Sequence, residues 1–119
     1  STYIGDENDI HPSAMFSINS SVTSNVKIGK YFQCNQRSYV SHDCIIGDFV
    51  TFAPNVNCLG NVIVKDHVYI GAGAIIRNGS SDNPIVIGEG AVVGMGAVVT
   101  KSVPVGKTVV GIPAIELEK

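Results

Sequence analysis

Apolar residues return at every sixth position along most of this 119-residue chain. From Ile10 the series runs through Phe16, Val22, Ile28, Cys34, Val40, Ile46, Phe52, Cys58, Val64, Ile70 and Ile76, with no charged or amide side chain among them. Four places after each member comes a second small or apolar residue, such as Ala14, Ser20, Val26, Phe32, Cys44, Val50, Val62, Ala74 and Ser80. The beat resumes at Ile87, Val93, Val99 and Val105, with Ala91, Ala97, Val103 and Val109 as second members. A helix repeats near 3.6 residues and a lone strand near 2. A sustained period of six belongs instead to the stacked coils of a parallel β-helix.

The pattern therefore predicts an all-β fold in which three hexads close one triangular lap, so that residues eighteen apart stack vertically. The laps read 10–27, 28–45, 46–63, 64–81 and 87–104, with a partial lap from 105, or roughly five to six coils. One lap alone buries too little; the core arises only when laps stack. The step from Ile76 to Ile87 is longer than a hexad, and the excess falls in Asn78-Gly-Ser-Ser-Asp-Asn-Pro84, a polar loop inserted near 77–86. An interruption of a strict repeat is a natural place for function. Residues 1–9 read as an N-terminal cap or linker stub, 10–114 as the coil domain and 115–119 as a tail. Outward positions such as Tyr39, Ile45, Ile63, Tyr69 and Ile75 leave apolar sides that invite packing into a cyclic trimer.

Composition narrows the classes. Ten acidic and eight basic side chains give no footprint for a polyanion, and with no Trp there is no stacking platform for single-stranded nucleic acid. The cysteines Cys34, Cys44 and Cys58 all fall on inward positions and read as small buried hydrophobes. Their odd number and the lack of a CxxC argue against a disulfide framework, and a reducing cytoplasm is the expected location. No apolar run approaches the ~20 residues that cross a bilayer, so no membrane insertion is expected.

Stacking arithmetic also singles out His42. Eighteen residues on lies Gly60, and eighteen more reach Asn78 in the inserted loop. An imidazole over a residue with no side chain leaves room for a ligand and exposes a backbone N–H, placing a base beside an oxyanion donor. His67 stacks with Phe49 and Tyr31 as a surface aromatic column, and His11 belongs to the entry turn.

The hexads Ile70-Gly-Ala-Gly-Ala-Ile and Val93-Gly-Met-Gly-Ala-Val resemble those of the hexapeptide-repeat acyltransferases. Ile10-His-Pro-Ser-Ala14, Ser41-His-Asp-Cys-Ile-Ile-Gly-Asp48, Asn57-Cys-Leu-Gly-Asn61 and Val110-Gly-Ile-Pro-Ala114 resemble the sialic acid O-acetyltransferase and bacterial amino-sugar N-acetyltransferase branch. The resemblance implies a left-handed β-helix working as a homotrimer. It implies acetyl transfer from acetyl-CoA to an amine or hydroxyl of a sugar or nucleotide-sugar in bacterial surface-glycan synthesis. It further implies His42 as general base, Asp43 as the acidic neighbour that raises its basicity, and the Gly60 N–H as donor to the acetyl oxygen. Acetyl-CoA would run past Ala72, Gly73, Met95 and Gly96, with Lys101, Ile112 and Pro113 flanking its adenine and phosphate. Members of the branch usually carry a nucleotide-binding α/β subdomain before the coil; it is not among these 119 residues, which read as either an excised domain or a short relative. Many also have a second His nine residues after the first; here that place is Thr51, whose hydroxyl can bond a substrate but cannot titrate near neutrality. Thr51 and Asn78 are the expected substrate contacts, and no metal is expected.

Two other readings share the coil. A γ-class carbonic-anhydrase-like zinc protein needs three imidazoles shared across a trimer interface, and the spacing of His11, His42 and His67 fits this badly. A non-catalytic scaffold or ice-binding coil is the other; Thr2, Thr23, Thr51, Thr100 and Thr108 form no ladder of the kind ice binders use.

Overall fold

The structure is a computed structural model that describes residues 1–117. It is a parallel β-helix of about six turns built from strands two or three residues long, with no helix among the described residues. The first sheet stacks Tyr3–Ile4, Ser21–Val22, Tyr39–Val40, Asn57–Cys58, Ile75–Ile76 and Val98–Val99. The second stacks Asp9–Ile10, Lys27–Ile28, Ile45–Ile46, Val62–Val64 and Ile85–Ile87. The third stacks Met15–Phe16, Gln33–Cys34, Thr51–Phe52, Tyr69–Ile70, Val92–Val93 and Thr108–Val110. The eighteen-residue register holds from lap to lap, as in Val22 beside Val40 and Ile28 beside Ile46.

Each hexad sends two residues inward. The interior is a continuous column of Val, Ile, Ala and Cys in which Phe16, Phe32 and Phe52 meet edge to face, with centroids 5.9 and 5.0 Å apart. Between strands the chain turns through one residue in the left-handed region, and the turning position recurs every six residues from Asn19 (60°) to His67 (61°). Asn tolerates this conformation better than most residues and fills it at Asn19, Asn25, Asn55 and Asn61. From Asn19 to His67 these corners are tied to the lap below by a backbone bond, for example Asn61 N–H to the His42 carbonyl at 3.1 Å, except at Tyr31, whose N–H donates to Ser13 Oγ at 2.7 Å.

Cys34, Cys44 and Cys58 are buried and free. Burial pushes the Cys34 thiol up to about 12. A hydrogen bond to Cys44, together with burial, raises Cys58 as well.

The repeat departs from the expected phasing in three places. Segment 1–9 is not simply a cap: Ile4 lies six residues before Ile10, and Tyr3–Ile4 pairs in register with Ser21–Val22. Ile4 stays 41% exposed because no lap lies beneath it. Ser80, expected inside, is exposed in the inserted loop, and Ile85 takes its place beside Val62. The last lap is short: Ile87 bridges Val103, and Val93 pairs with Val109, a step of sixteen residues. Val103 and Val109 therefore take the first inward place, and Val105, expected inside, sits in a turn and is 71% exposed. Pro104, which has no N–H for a ladder, starts that turn, and Gly106 (φ 71°) closes it. Beyond it Ile115–Glu116 folds back antiparallel on Thr108–Val110, and Leu117 N–H reaches the Thr108 carbonyl at 2.8 Å. The end of the expected tail, 118–119, lies outside the described residues.

Candidate active site

The corner between the first and second sheets carries Ser24-Asn25, His42-Asp43, Gly60-Asn61, Asn78-Gly79 and Lys101 on successive laps. His42 and Gly60 are vertical neighbours. A Cβ built on Gly60 would lie 2.5 Å from both Cε1 and Nε2 of His42, so the imidazole occupies the space that any other residue at 60 would fill. The chain then crosses Gly60 at the next lap, where Gly79 N–H donates to its carbonyl at 3.0 Å. Among the described residues the Gly60 N–H has no acceptor.

Asp43 meets the ring because it occupies the turning position. Successive strand side chains diverge, but at φ 59° the backbone swings the carboxylate back beside His42. Its Oδ2 lies 2.8 Å from Nδ1, while Oδ1 accepts from Asn25 Nδ2 at 2.6 Å one lap below. The hydrogen bond from His42, then that from Asn25, hold the Asp43 carboxyl below its ordinary value of 3.8. An ionised carboxylate only accepts, so Nδ1 carries the proton and Nε2 presents a lone pair over Gly60. With 55% of the His42 side chain exposed, an acceptor can reach that lone pair. The arrangement holds a base of fixed tautomer, itself open to solvent, over the buried Gly60, whose N–H is unpaired among the described residues. Asn25 was not singled out by the sequence analysis, although eighteen residues before Asp43 is the same arithmetic that connects His42 to Gly60.

Lys101 stands higher on this corner, beside Asn78. Ala72, Gly73, Met95 and Gly96 do not share it. They lie on the corner between the third and first sheets, stacked through the Gly96 N–H to Ala72 carbonyl bond at 2.8 Å. Gly73 (φ 74°) and Gly96 (φ 69°) are turning residues with open space where a Cβ would stand, and Met95 is 82% exposed. Ile112 and Pro113 follow Gly111, whose carbonyl accepts from Val98 N–H, at the upper end of the same side. Thr51 lies in the third sheet, between Gln33 and Tyr69, away from His42. One chain thus assembles the base, its carboxylate, the bare glycine, Asn78 and Lys101 on one corner, and the small residues expected against acetyl-CoA on another.

His11 and His67 belong to the remaining corner, between the second and third sheets, where the Tyr31, Phe49 and His67 rings stack at 5.4 and 5.2 Å. The three imidazoles do not converge within the chain, and no group of three metal-binding side chains occurs among the described residues. No helix there is long and apolar enough to cross a membrane.

No protein-family model matches the chain. Over 114 residues it is 48% identical to the GDP-perosamine N-acetyltransferase of Escherichia coli O157:H7, covering 96% of this chain and 52% of that protein. WeeI from Acinetobacter baumannii AYE, a solved structure, is 57% identical with a TM-score of 0.96, over 98% of this chain and 55% of that one. The acetyltransferase domain of PglB from Neisseria gonorrhoeae FA1090, solved in complex with acetyl coenzyme A, is 29% identical with a TM-score of 0.62, over 96% and 56% of the two chains. The chain spans about half the length of these relatives.

Proposed function

We propose that this chain, whose repeat and sequence match the coil half of hexapeptide-repeat sugar acetyltransferases, moves acetyl from acetyl-CoA to the amine of a nucleotide-linked sugar. The reading extends to the assembly of bacterial surface glycans in the cytoplasm, where the three buried thiols stay reduced. The observation that carries it is the His42 ring seated over Gly60 with its Nδ1 fixed by Asp43. The name of the Escherichia coli relative favours an amine over a hydroxyl acceptor.

The steps follow from the geometry. The sugar nitrogen attacks the thioester carbonyl carbon and Nε2 of His42 takes the proton the nitrogen sheds. Negative charge gathering on the acetyl oxygen is met by the Gly60 N–H, a donor of a kind worth roughly 10²–10³ in rate. When the carbon–sulfur bond breaks, the leaving thiolate takes the proton from the imidazolium. Asp43 stabilises that cation and keeps the ring from turning. The thiol nearest this corner, Cys44, is buried with its sulfur against the Leu59 carbonyl at 3.1 Å, so the reading has both substrates bound before a direct transfer.

The two separated half-sites support a homotrimer. A threefold axis parallel to the coil brings unlike corners of neighbouring protomers together. The His42 corner of one protomer would then face the Ala72–Gly96 corner of the next, with acetyl-CoA in the groove between them.

Incubation with acetyl-CoA and a panel of nucleotide-linked amino sugars, following release of free thiol, tests the function. Release that depends on the amine is expected, and His42→Ala should slow it by about 10²–10⁴ while coenzyme affinity holds. Absence of release with every amine, or full turnover by the variant, overturns the reading.

A further inference from the structure

Above the His42–Gly60 pair, the inserted loop and the short last lap enclose a pocket of about 420 Å³. Arg77 and Lys101 line it, with Asn78, Ser80 and Ser102, and no carboxylate is among its lining residues. Neither cation forms a salt bridge among the described residues. In a chain with more acidic than basic side chains, two unpaired cations in one pocket mark a seat for a negative charge.

The hydroxyls point the same way. Ser80 Oγ accepts from the Asn83 N–H at 3.1 Å, and Ser102 Oγ accepts from the Val86 N–H at 2.9 Å. Among the described residues neither hydroxyl donates to another group of the chain, so each keeps its proton for a ligand. The loop itself is held in place: Gly79 is pressed against Ile85 N and Asn61 O, where an added Cβ would come within 2.6 and 2.7 Å. Two cations and two hydroxyl donors on a fixed frame suit the oxygens of a phosphate ester.

We infer that this pocket seats a diphosphate ester, and that Arg77 is its principal charge. The inference rests on the acetyl-transfer reading for its source, because both proposed substrates carry a diphosphate: the coenzyme and the nucleotide-linked acceptor. Strands of neighbouring laps are about 4.8 Å apart. Asn78 stands one lap above Gly60 and Lys101 two, so the pocket starts about 5–10 Å up the corner from the reacting centre. At that remove Arg77 holds a non-reacting part of the substrate equally in ground and transition states, and its loss raises KM while sparing kcat.

Binding and turnover are measured separately. Calorimetry with inorganic pyrophosphate should show binding to the wild-type chain, weakened tenfold or more in Arg77→Ala and partly restored in Arg77→Lys, with melting temperatures confirming the fold of each. Kinetics then identify the source. If the seat serves the coenzyme, Arg77→Ala raises KM for acetyl-CoA but not for acetyl-pantetheine, which has no phosphate. If it serves the acceptor, KM rises for the nucleotide-linked sugar but not for the free amino sugar. Pyrophosphate affinity unchanged by Arg77→Ala, or both substrate KM values unchanged, overturns the seat. Pyrophosphate binding that depends on Arg77 in a wild-type chain that transfers no acetyl upholds the seat and overturns the transfer reading.

Discussion

At the scale of single residues, the corner is built on the absence of one side chain. Gly60→Ala puts a methyl 2.5 Å from the His42 ring, which can swing into solvent only by giving up its bond to Asp43, so the variant should fold with a near-normal melting temperature and lose acetyl transfer by about 10² or more. Asp43 invites a titration. Its folded carboxyl lies below 3.8, so the contact with His42 persists as pH falls past that point and is lost only as pH drops through the lowered value. In Asn25→Ala one of the two hydrogen bonds that lower it is gone, and carboxyl chemical shifts followed by NMR should move its midpoint back toward 3.8. The register of His42 on Gly60 was legible because it follows from counting alone. The Asp43 contact was legible only through the resemblance, since it depends on a left-handed backbone that the letters His-Asp do not announce.

Short strands and corners obey the count only while each lap has the same length. The five-residue insertion could be seen because polar, Gly- and Pro-containing letters interrupt an apolar beat. The two-residue shortening after Val99 could not, because Val103 and Val105 are both apolar and either completes a plausible hexad. Pro104 and Gly106 were the signal: together they make a turn where the regular phase required a strand. Chemical denaturation should separate the two valines. Val103→Ala, 4% exposed, should cost about 2 kcal/mol, whereas Val105→Ser, in its exposed turn, should cost less than about 0.5 kcal/mol.

Over the whole molecule the laps depend on one another, and the proposed trimer extends that dependence between chains. If each site joins unlike corners of two protomers, His42→Ala mixed with Ala72→Trp, each inactive alone, should regain activity on reassembly. Random trimers of the two would restore about a quarter of the wild-type sites; mixtures as inactive as their parents would show that each chain works alone. The core makes its own prediction. Folded Cys34 keeps its proton up to about 12 whereas the unfolded chain releases it near 9.0, so stability is retained below pH 9 and declines as pH rises from there toward 12. Melting curves from pH 8 to 11 should show that decline, and Cys34→Ala should lessen it. The upper end of the coil has a different consequence. Because Ile115–Glu116 runs against every other strand of the third sheet, the edge left at that end does not repeat the direction of the ladder beneath it. An appended repeat finds no matching template there, whereas an eighteen-residue duplication spliced between interior laps keeps every column in phase. Lengthening such a tube, by breeding or by design, is a matter of internal copying rather than of terminal extension.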